Sequence, residues 1–256
     1  MSGLCNYHTH TRFCDGHDEP EELVREAIRL GCPELGFSGH SHVSFDDCCM
    51  SVEGTARYKA EIGRLREKYA GEIRVLLGVE QDFYGDLPTD EYDYVIGSVH
   101  YVHKDGRYLA VDESRESFLE NVARAYGGDV YAFAEDYYAL VGQIWEKTRC
   151  RVVGHFDLIT KFNEGDCLFD TAHPRYQRAA LAALDALADA PVLFEINTGA
   201  IARGYRRTPY PAPWLLAELR ARGAELILSS DCHRREDLLC GMEAWRDQPG
   251  VRPTLF

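Results

Sequence analysis

The sequence predicts an α/β domain whose parallel strands curl into a closed or nearly closed barrel, and three observations carry that prediction. Apolar runs of strand length alternate with helix-like segments along the chain, the pattern of βα units on a parallel sheet. About seven of those runs end in a residue that can bind a metal. The length of 256 residues suits one large domain of this kind. Side chains at the C-terminal ends of parallel strands share one mouth in a barrel, whereas an open sheet gathers its ligands near a single switch point.

The elements follow in order. Cys5-Asn6-Tyr7 runs into His8-Thr9-His10. A helix over 20–30 has Pro20, Glu21 and Glu22 in its first turn and stops at Gly31. Leu35-Gly36-Phe37 ends at Ser38-Gly39-His40, and the spacing of Ile62, Leu65 and Tyr69 predicts a helix over 58–69 that stops before Gly71. The run 73–79 ends at Glu80, and Tyr94-Val95-Ile96 leads through Gly97-Ser98-Val99 to His100. Between 105 and 129, Asp112-Glu113-Ser114 and Gly127-Gly128-Asp129 punctuate a helix over 117–125, which predicts an insertion over the barrel mouth. Tyr137, Leu140, Val141 and Ile144 place a helix over 136–147. Val152-Val153-Gly154 ends at His155, and an Ala/Leu-rich helix covers 176–188. Val192-Leu193-Phe194 ends at Glu195, a helix over 213–222 stops at Gly223, and Leu226-Ile227-Leu228 ends at Ser229-Ser230-Asp231-Cys232-His233.

Composition narrows the function. Hydrophobic content of 45% is ample for a core, and no apolar run approaches the ~18 residues of a membrane span. The start, Met1-Ser2-Gly3-Leu4, lacks the charged and apolar regions of a secretory signal. Nine cysteines at irregular spacing, with no Cys-x-x-Cys pair, suit a reducing cytoplasm better than a disulfide framework. A net charge of −14 argues against nucleic acid as the main partner, because phosphate backbones reward clustered Lys and Arg. Phosphate-binding Gly-x-x-x-x-Gly-Lys, Gly-x-Ser-x-Gly and dinucleotide fingerprints are all missing, and Cys150-Arg151 enters a strand rather than a nucleophile loop.

The strand-end residues are those a cluster of zinc, iron or manganese requires. In a strand, residues two apart face the same side, so His8 and His10 can share an ion, and Asp231 and His233 repeat the spacing beside two small serines. Taken alone the first pair also fits a core or surface role, but Asp15 and His17 in the loop that follows add candidates. Glu80 ends a purely apolar strand, where an unpaired carboxylate would be costly, and a carboxylate can bridge two ions, which makes it the central ligand. Of His40 and His42 the first follows the strand directly, and the same reasoning prefers His100 to His103. His155 ends its strand, with Asp157 placed to orient it. Cys232 reads as packing and His173 as a turn residue. Glu195 either joins the mouth or pairs with Arg203 or Lys161.

In this order His8-x-His10, Asp15, His40, Glu80, His100, His155 and Asp231-x-His233 resemble the PHP (polymerase and histidinol phosphatase) superfamily. The phrases His8-Thr9-His10-Thr11, Gly97-Ser98-Val99-His100-Tyr101, Gly154-His155-Phe156-Asp157-Leu158-Ile159 and Glu195-Ile196-Asn197-Thr198-Gly199 resemble its histidinol-phosphatase branch. The likeness spans nearly the whole chain and implies one domain over 1–256, a distorted TIM-like (β/α)7 barrel with a trinuclear metal cluster at the C-terminal ends of its strands. It implies that His8, His10, Glu80 and Asp231 hold one ion, that Glu80 bridges to a second with His100 and His155, and that Asp15, His40 and His233 hold a third. Some relatives place a histidine in the first loop, where this chain has Asp15 and then His17; Asp15 is preferred and His17 kept as an alternative. The metals would be divalent zinc, iron or manganese.

The chemistry such a site suits is hydrolysis of a small phosphomonoester, which the resemblance narrows to L-histidinol phosphate in histidine biosynthesis. Another small phosphoester, or a metal-binding regulatory barrel without catalysis, are the alternatives. A bound metal lowers the pKa of water from ~15.7 towards ~7 and so supplies hydroxide at neutral pH, with Glu80 between the ions. The leaving alcohol needs a proton, for which Asp231, His233 and a bound water are candidates. Arg203 and Lys161 are candidate phosphate ligands, although a structural or surface role accounts for each as well. Glu195 and Asp112 are candidates for the substrate's amino group.

Overall fold

Strands and helices alternate through residues 3–256, the part of the chain that the structure, a computed structural model, describes. The strands are β1 (Glu34–Phe37), β2 (Arg74–Asp82), β3 (Tyr94–Ser98), β4 (Tyr101–Lys104), β5 (Arg107–Ala110), β6 (Val152–Val153), β7 (Leu193–Asn197), β8 (Leu226–Ser229) and β9 (Val251–Arg252). The helices are α1 (Pro20–Leu30), α2 (Val52–Lys68), α3 (Arg115–Tyr126), α4 (Val130–Val141), α5 (Ile144–Thr148), α6 (Pro174–Ala186), α7 (Gly199–Ala202) and α8 (Pro213–Ala221). One curled sheet runs β1-β2-β3-β6-β7-β8-β9 with every pairing parallel.

The N-terminal segment closes it. Gly36 N–H donates to the Asn6 carbonyl at 2.8 Å and Ser38 N–H to that of Thr9 at 3.0 Å. On the other side His10 N–H donates to the Cys232 carbonyl at 2.9 Å and Cys232 N–H to that of His8 at 3.2 Å. Residues 6–10 therefore stand as a stave between β1 and the chain leaving β8, while β9 pairs with the opening residues of β8, Leu226 and Ile227. With six sheet strands this makes the seven-stave barrel that the sequence implies.

Two apolar layers follow from strand alternation. Tyr7, Leu76, Tyr94, Ile96, Val152, Leu193 and Ile227 fill the barrel interior beneath the mouth. The opposite faces pack against the helices through residues such as Leu35, Phe37, Val75, Val79, Val153 and Phe194. Tyr94 lies across the interior in space that only glycine leaves open: a Cβ on Gly78 would come within 2.3 Å of its ring. Its hydroxyl donates to the Phe37 carbonyl at 3.1 Å, which ties the interior to the wall.

Several boundaries differ from the sequence reading, each for a local reason. Helix α2 starts at Val52 rather than 58, because Ser51 caps it by accepting the Gly54 N–H at 2.9 Å. The helix expected over 136–147 is two helices, α4 and α5, broken after Gly142. It begins early because Asp129 accepts the N–H groups of Tyr131 and Ala132. The insertion is a hairpin, β4 and β5, followed by α3; the hairpin turns on Asp105-Gly106, whose φ angles of 50° and 73° suit a tight two-residue turn. Among the described residues no helix is long and apolar enough to cross a membrane.

Candidate active site

Glu80 stands at the centre of the barrel mouth. Strand β2 runs on past it to Asp82, so it projects from a regular strand rather than from a strand end. Its Oε2 lies 2.9 Å from His40 Nδ1, 3.3 Å from His8 Nε2 and 3.5 Å from His10 Nε2. Its Oε1 lies 2.9 Å from His155 Nε2 and 3.3 Å from His100 Nε2. One carboxylate thus faces imidazoles from three sheet strands and the N-terminal segment. Burial works against its charge, and His8, His40 and His100 more than offset that, holding its carboxyl well below the usual range.

A second carboxylate set surrounds the first loop. Asp15 Oδ2 is 3.0 Å from His233 Nε2 and 3.6 Å from His40 Nε2, and Asp15 Oδ1 is 3.3 Å from His10 Nδ1. Asp231 Oδ1 is 3.2 Å from His10 Nε2 and 3.7 Å from His8 Nε2. Asp231 has φ of 49°, a left-handed conformation rare outside glycine and a form of strain found at functional positions. Arg203 secures it, donating to its carbonyl at 2.9 Å and to its Oδ2 at 3.0 Å.

The donor atoms fit metal ions. His8 Nε2 and His10 Nε2, which face Glu80 Oε2, are buried and lack a hydrogen-bond partner, as do Glu80 Oε2 and Asp15 Oδ1. Four sets bring donors within 4.8 Å of one another: His10, Asp15, His40 and His233; His8, His155 and Asp231; His8, His10 and Glu80; His40, Glu80 and His100. Every residue named as a metal ligand from the sequence joins at least one set except His17, which is exposed. The sets overlap and divide the residues differently from the partition the resemblance implies: His10 groups with Asp15, and His155 with His8 and Asp231. Imidazole nitrogen and carboxylate oxygen converging on one space is the donor chemistry of a metal site.

Residues behind these ligands fix their direction. Glu195 pairs with neither Arg203 nor Lys161; its Oε1 lies 2.6 Å from His8 Nδ1, and its Oε2 accepts the His155 N–H at 2.7 Å. Asp82 Oδ2 lies 3.1 Å from His100 Nδ1 and accepts the His100 N–H at 3.1 Å. The sequence reading missed Asp82, although alternation places it on the same strand face as Glu80. Asp157, expected behind His155, instead accepts the Ala212 N–H at 2.9 Å and lies 3.6 Å from Arg206. His42 turns away to the Met50 carbonyl, His103 is exposed, and His173 caps α6 by accepting the Arg175 N–H.

The cluster opens into a cavity of about 600 Å³. Asp15, His40, Glu80, His100, His155, Asp231 and His233 form its floor, and the insertion contributes Tyr101, Tyr108 and Asp112 to its wall. Arg203 and Lys161 both line it. Lys161 Nζ donates to the Asp112 carbonyl at 2.7 Å and carboxylate at 3.0 Å, which leaves one of its three N–H bonds free.

The model of the family described as PHP domain matches residues 6–199. The chain is similar to a Deinococcus radiodurans protein described as "Probable histidinol-phosphatase", with 34% identity over 250 residues, 91% of this chain and 88% of the relative. It is similar to the histidinol-phosphatase of Bacillus subtilis, with 27% identity over 267 residues, 94% of this chain and 97% of the relative. The solved structure of a histidinol phosphate phosphatase from Lactococcus lactis, complexed with zinc, L-histidinol and phosphate, superposes with a TM-score of 0.70 at 23% identity. That match covers 91% of this chain and 87% of the other.

Proposed function

This chain belongs to the PHP domain family, and from that premise we propose that it is a histidinol-phosphatase, a phosphoric monoester hydrolase that converts L-histidinol phosphate to L-histidinol and phosphate in histidine biosynthesis. The observation that carries the reading is one cavity shared by a carboxylate–imidazole cluster suited to metal ions and by two cations, Arg203 and Lys161. We assign three ions of the zinc, iron or manganese class to the cluster, since its donors outnumber what one ion of about four to six ligands can use. Bound there, they would supply a water acidified towards ~7 and positive charge for the non-bridging phosphate oxygens.

The chain's own residues do the rest. Glu195 and Asp82 orient His8 and His100, which keeps the floor of the cavity rigid when an anion arrives. Arg203 is held on Asp231 and His233 through Nη1 and on the Asp231 carboxylate through Nη2, which leaves one Nη2 N–H for a phosphate oxygen. Lys161, which also lines the cavity, offers its remaining N–H. Asp231, held well below the usual carboxylate range despite burial by Arg203 and His8, is ionised at neutral pH. His233, pushed down by burial and by His10, is neutral there. Whichever of the two the ions leave with a free lone pair can take a proton from the attacking water and return it to the alcohol oxygen as the P–O bond breaks.

The test is a comparison of esters on metal-loaded enzyme. Histidinol phosphate should show a kcat/KM at least about tenfold above p-nitrophenyl phosphate, although nitrophenolate is the better leaving group. Only binding energy from the amino-imidazole portion inverts the order that leaving-group chemistry sets. Equal values would keep the phosphatase class and remove the histidine pathway; no turnover of any ester would leave a regulatory barrel.

A further inference from the structure

Two buried side chains that do not line the cavity connect the two segments that carry its cations. The chain leaving β6 holds His155, Asp157, Thr160 and Lys161; the chain leaving α7 holds Arg203, Arg206 and Tyr210. Asp157 is fully buried and Arg206 is 8% exposed. Asp157 Oδ2 accepts the Ala212 N–H at 2.9 Å and lies 3.6 Å from Arg206 Nη1. Arg206 Nη1 also donates to Thr160 Oγ1, whose own hydroxyl donates to the Asp157 carbonyl at 2.7 Å.

The far side of the guanidinium is fixed too. It lies 4.5 Å over the Tyr210 ring, and the Tyr210 backbone exchanges hydrogen bonds with Asn197 at 2.8 and 2.9 Å. Asn197 Nδ2 reaches Asp231 Oδ2 at 3.3 Å, so the network ends on the residue that holds Arg203. A buried ion pair is a weak stabiliser, because desolvation consumes most of its attraction and apolar packing of the same volume holds loops as well. What the pair does supply is direction: a fork with fixed angles between Thr160, one residue before Lys161, and a segment three residues beyond Arg203.

We infer that Arg206 and Asp157 are positioning residues for the phosphate group, setting the separation between Lys161 and Arg203 in the cavity that both line. The inference rests on the reading above that these two cations hold phosphate. A one-ångström error in such a clamp is worth up to about 100-fold.

Inorganic phosphate is the probe, titrated calorimetrically into zinc-loaded protein, with elemental analysis and Tm recorded for each variant. Arg206→Lys keeps the charge and loses the fork, so phosphate should bind about tenfold more weakly or worse at unchanged metal content. Asp157→Asn, nearly isosteric, is the second variant and should act in the same direction should Arg206→Lys fail to fold. In an Arg203→Ala background the loss from either variant should shrink below about twofold, because the clamp it adjusts is already open. An equal loss in both backgrounds, or unchanged phosphate affinity with a lowered Tm, would show a merely structural pair and overturn the inference. Wild-type protein that binds no phosphate overturns both the phosphate site and the brace. Wild-type protein that binds phosphate but does not hydrolyse histidinol phosphate loses only its substrate assignment, and the binding cycle still decides the brace.

Discussion

Glu195 Oε1 lies 2.6 Å from His8 Nδ1, and both side chains are almost wholly shut off from solvent. The contact keeps a proton on His8 Nδ1 and leaves Nε2 directed at Glu80 and Asp231. It also raises the basicity of the ring as a ligand. Glu195→Gln keeps the shape and removes the charge, and it should weaken metal binding by about 10–100-fold without deleting a ligand. Competition against a chelator of known affinity measures this. Unchanged affinity would reduce Glu195 to packing.

Glu80 touches five imidazoles, so its loss should be felt at more than one ion. Glu80→Gln is expected to lower metal content per chain and to cost at least about 100-fold in activity, more than a residue that only orients a ligand. His103→Ala, at an exposed position on the hairpin, should stay within about twofold of wild type. Elemental analysis and turnover on the same preparations separate the two. Comparable losses for both variants would remove Glu80 from the centre.

The candidate residues legible in the sequence are those whose place follows from a strand end. His8, His10, His40, His100, His155, Asp231 and His233 stand out because each follows an apolar run, and a run of that kind has one direction and one mouth. Glu195 and Asp82 were harder to read because their role depends on which imidazole lies behind the barrel wall, a relation between strands that no single run contains. Asp157 shows the reverse case: its nearness to His155 in sequence suggested an orienting contact, but the turn at 157–160 swings it towards Arg206 instead. The hairpin of β4 and β5 carried a legible Asp105-Gly106 turn, masked by the polar residues on the exposed face of two short strands.

Metal uptake should release protons. Burial alone would depress His8, but Glu195, Glu80 and Asp231 raise it from 6.5 to about 10; His100 is likewise lifted from 6.5 to about 10 against burial, chiefly by Glu80 and Asp82. In the metal-free protein both rings are therefore charged at neutral pH. Their contribution to metal-free stability is fully present below about 6.5 and is lost as pH rises through about 10. A metal must displace these protons, so apparent zinc affinity should rise with pH between those limits. Calorimetry of zinc binding near neutral pH, in two buffers of different ionisation enthalpy, should report release of at least about one proton. Heats that do not depend on the buffer would contradict the charged state.

Gly199 sets how closely Arg203 and Asp231 can approach. A Cβ there would lie 2.9 Å from Arg203 Nη2, 2.9 Å from the Ser230 carbonyl oxygen and 3.0 Å from Asp231 Cβ. The arginine end can swing aside, but the Ser230 backbone is held by Asn6, whose Oδ1 accepts its N–H at 3.0 Å. A methyl group must therefore displace Asp231 or the guanidinium that secures it. Gly199→Ala should lower kcat/KM by about 10–100-fold through misplaced chemistry, with an overpacking cost of about 1–3 kcal/mol. Gly63→Ala is the control: it lies inside α2 with nothing within 4 Å of the new Cβ, so it should leave activity alone and stabilise the helix by about 0.5–1 kcal/mol. Activity and Tm on both variants distinguish crowding at the site from a general response to alanine. Wild-type kcat/KM in Gly199→Ala would mean that Asp231 has room to spare and that its strained backbone is not what places it.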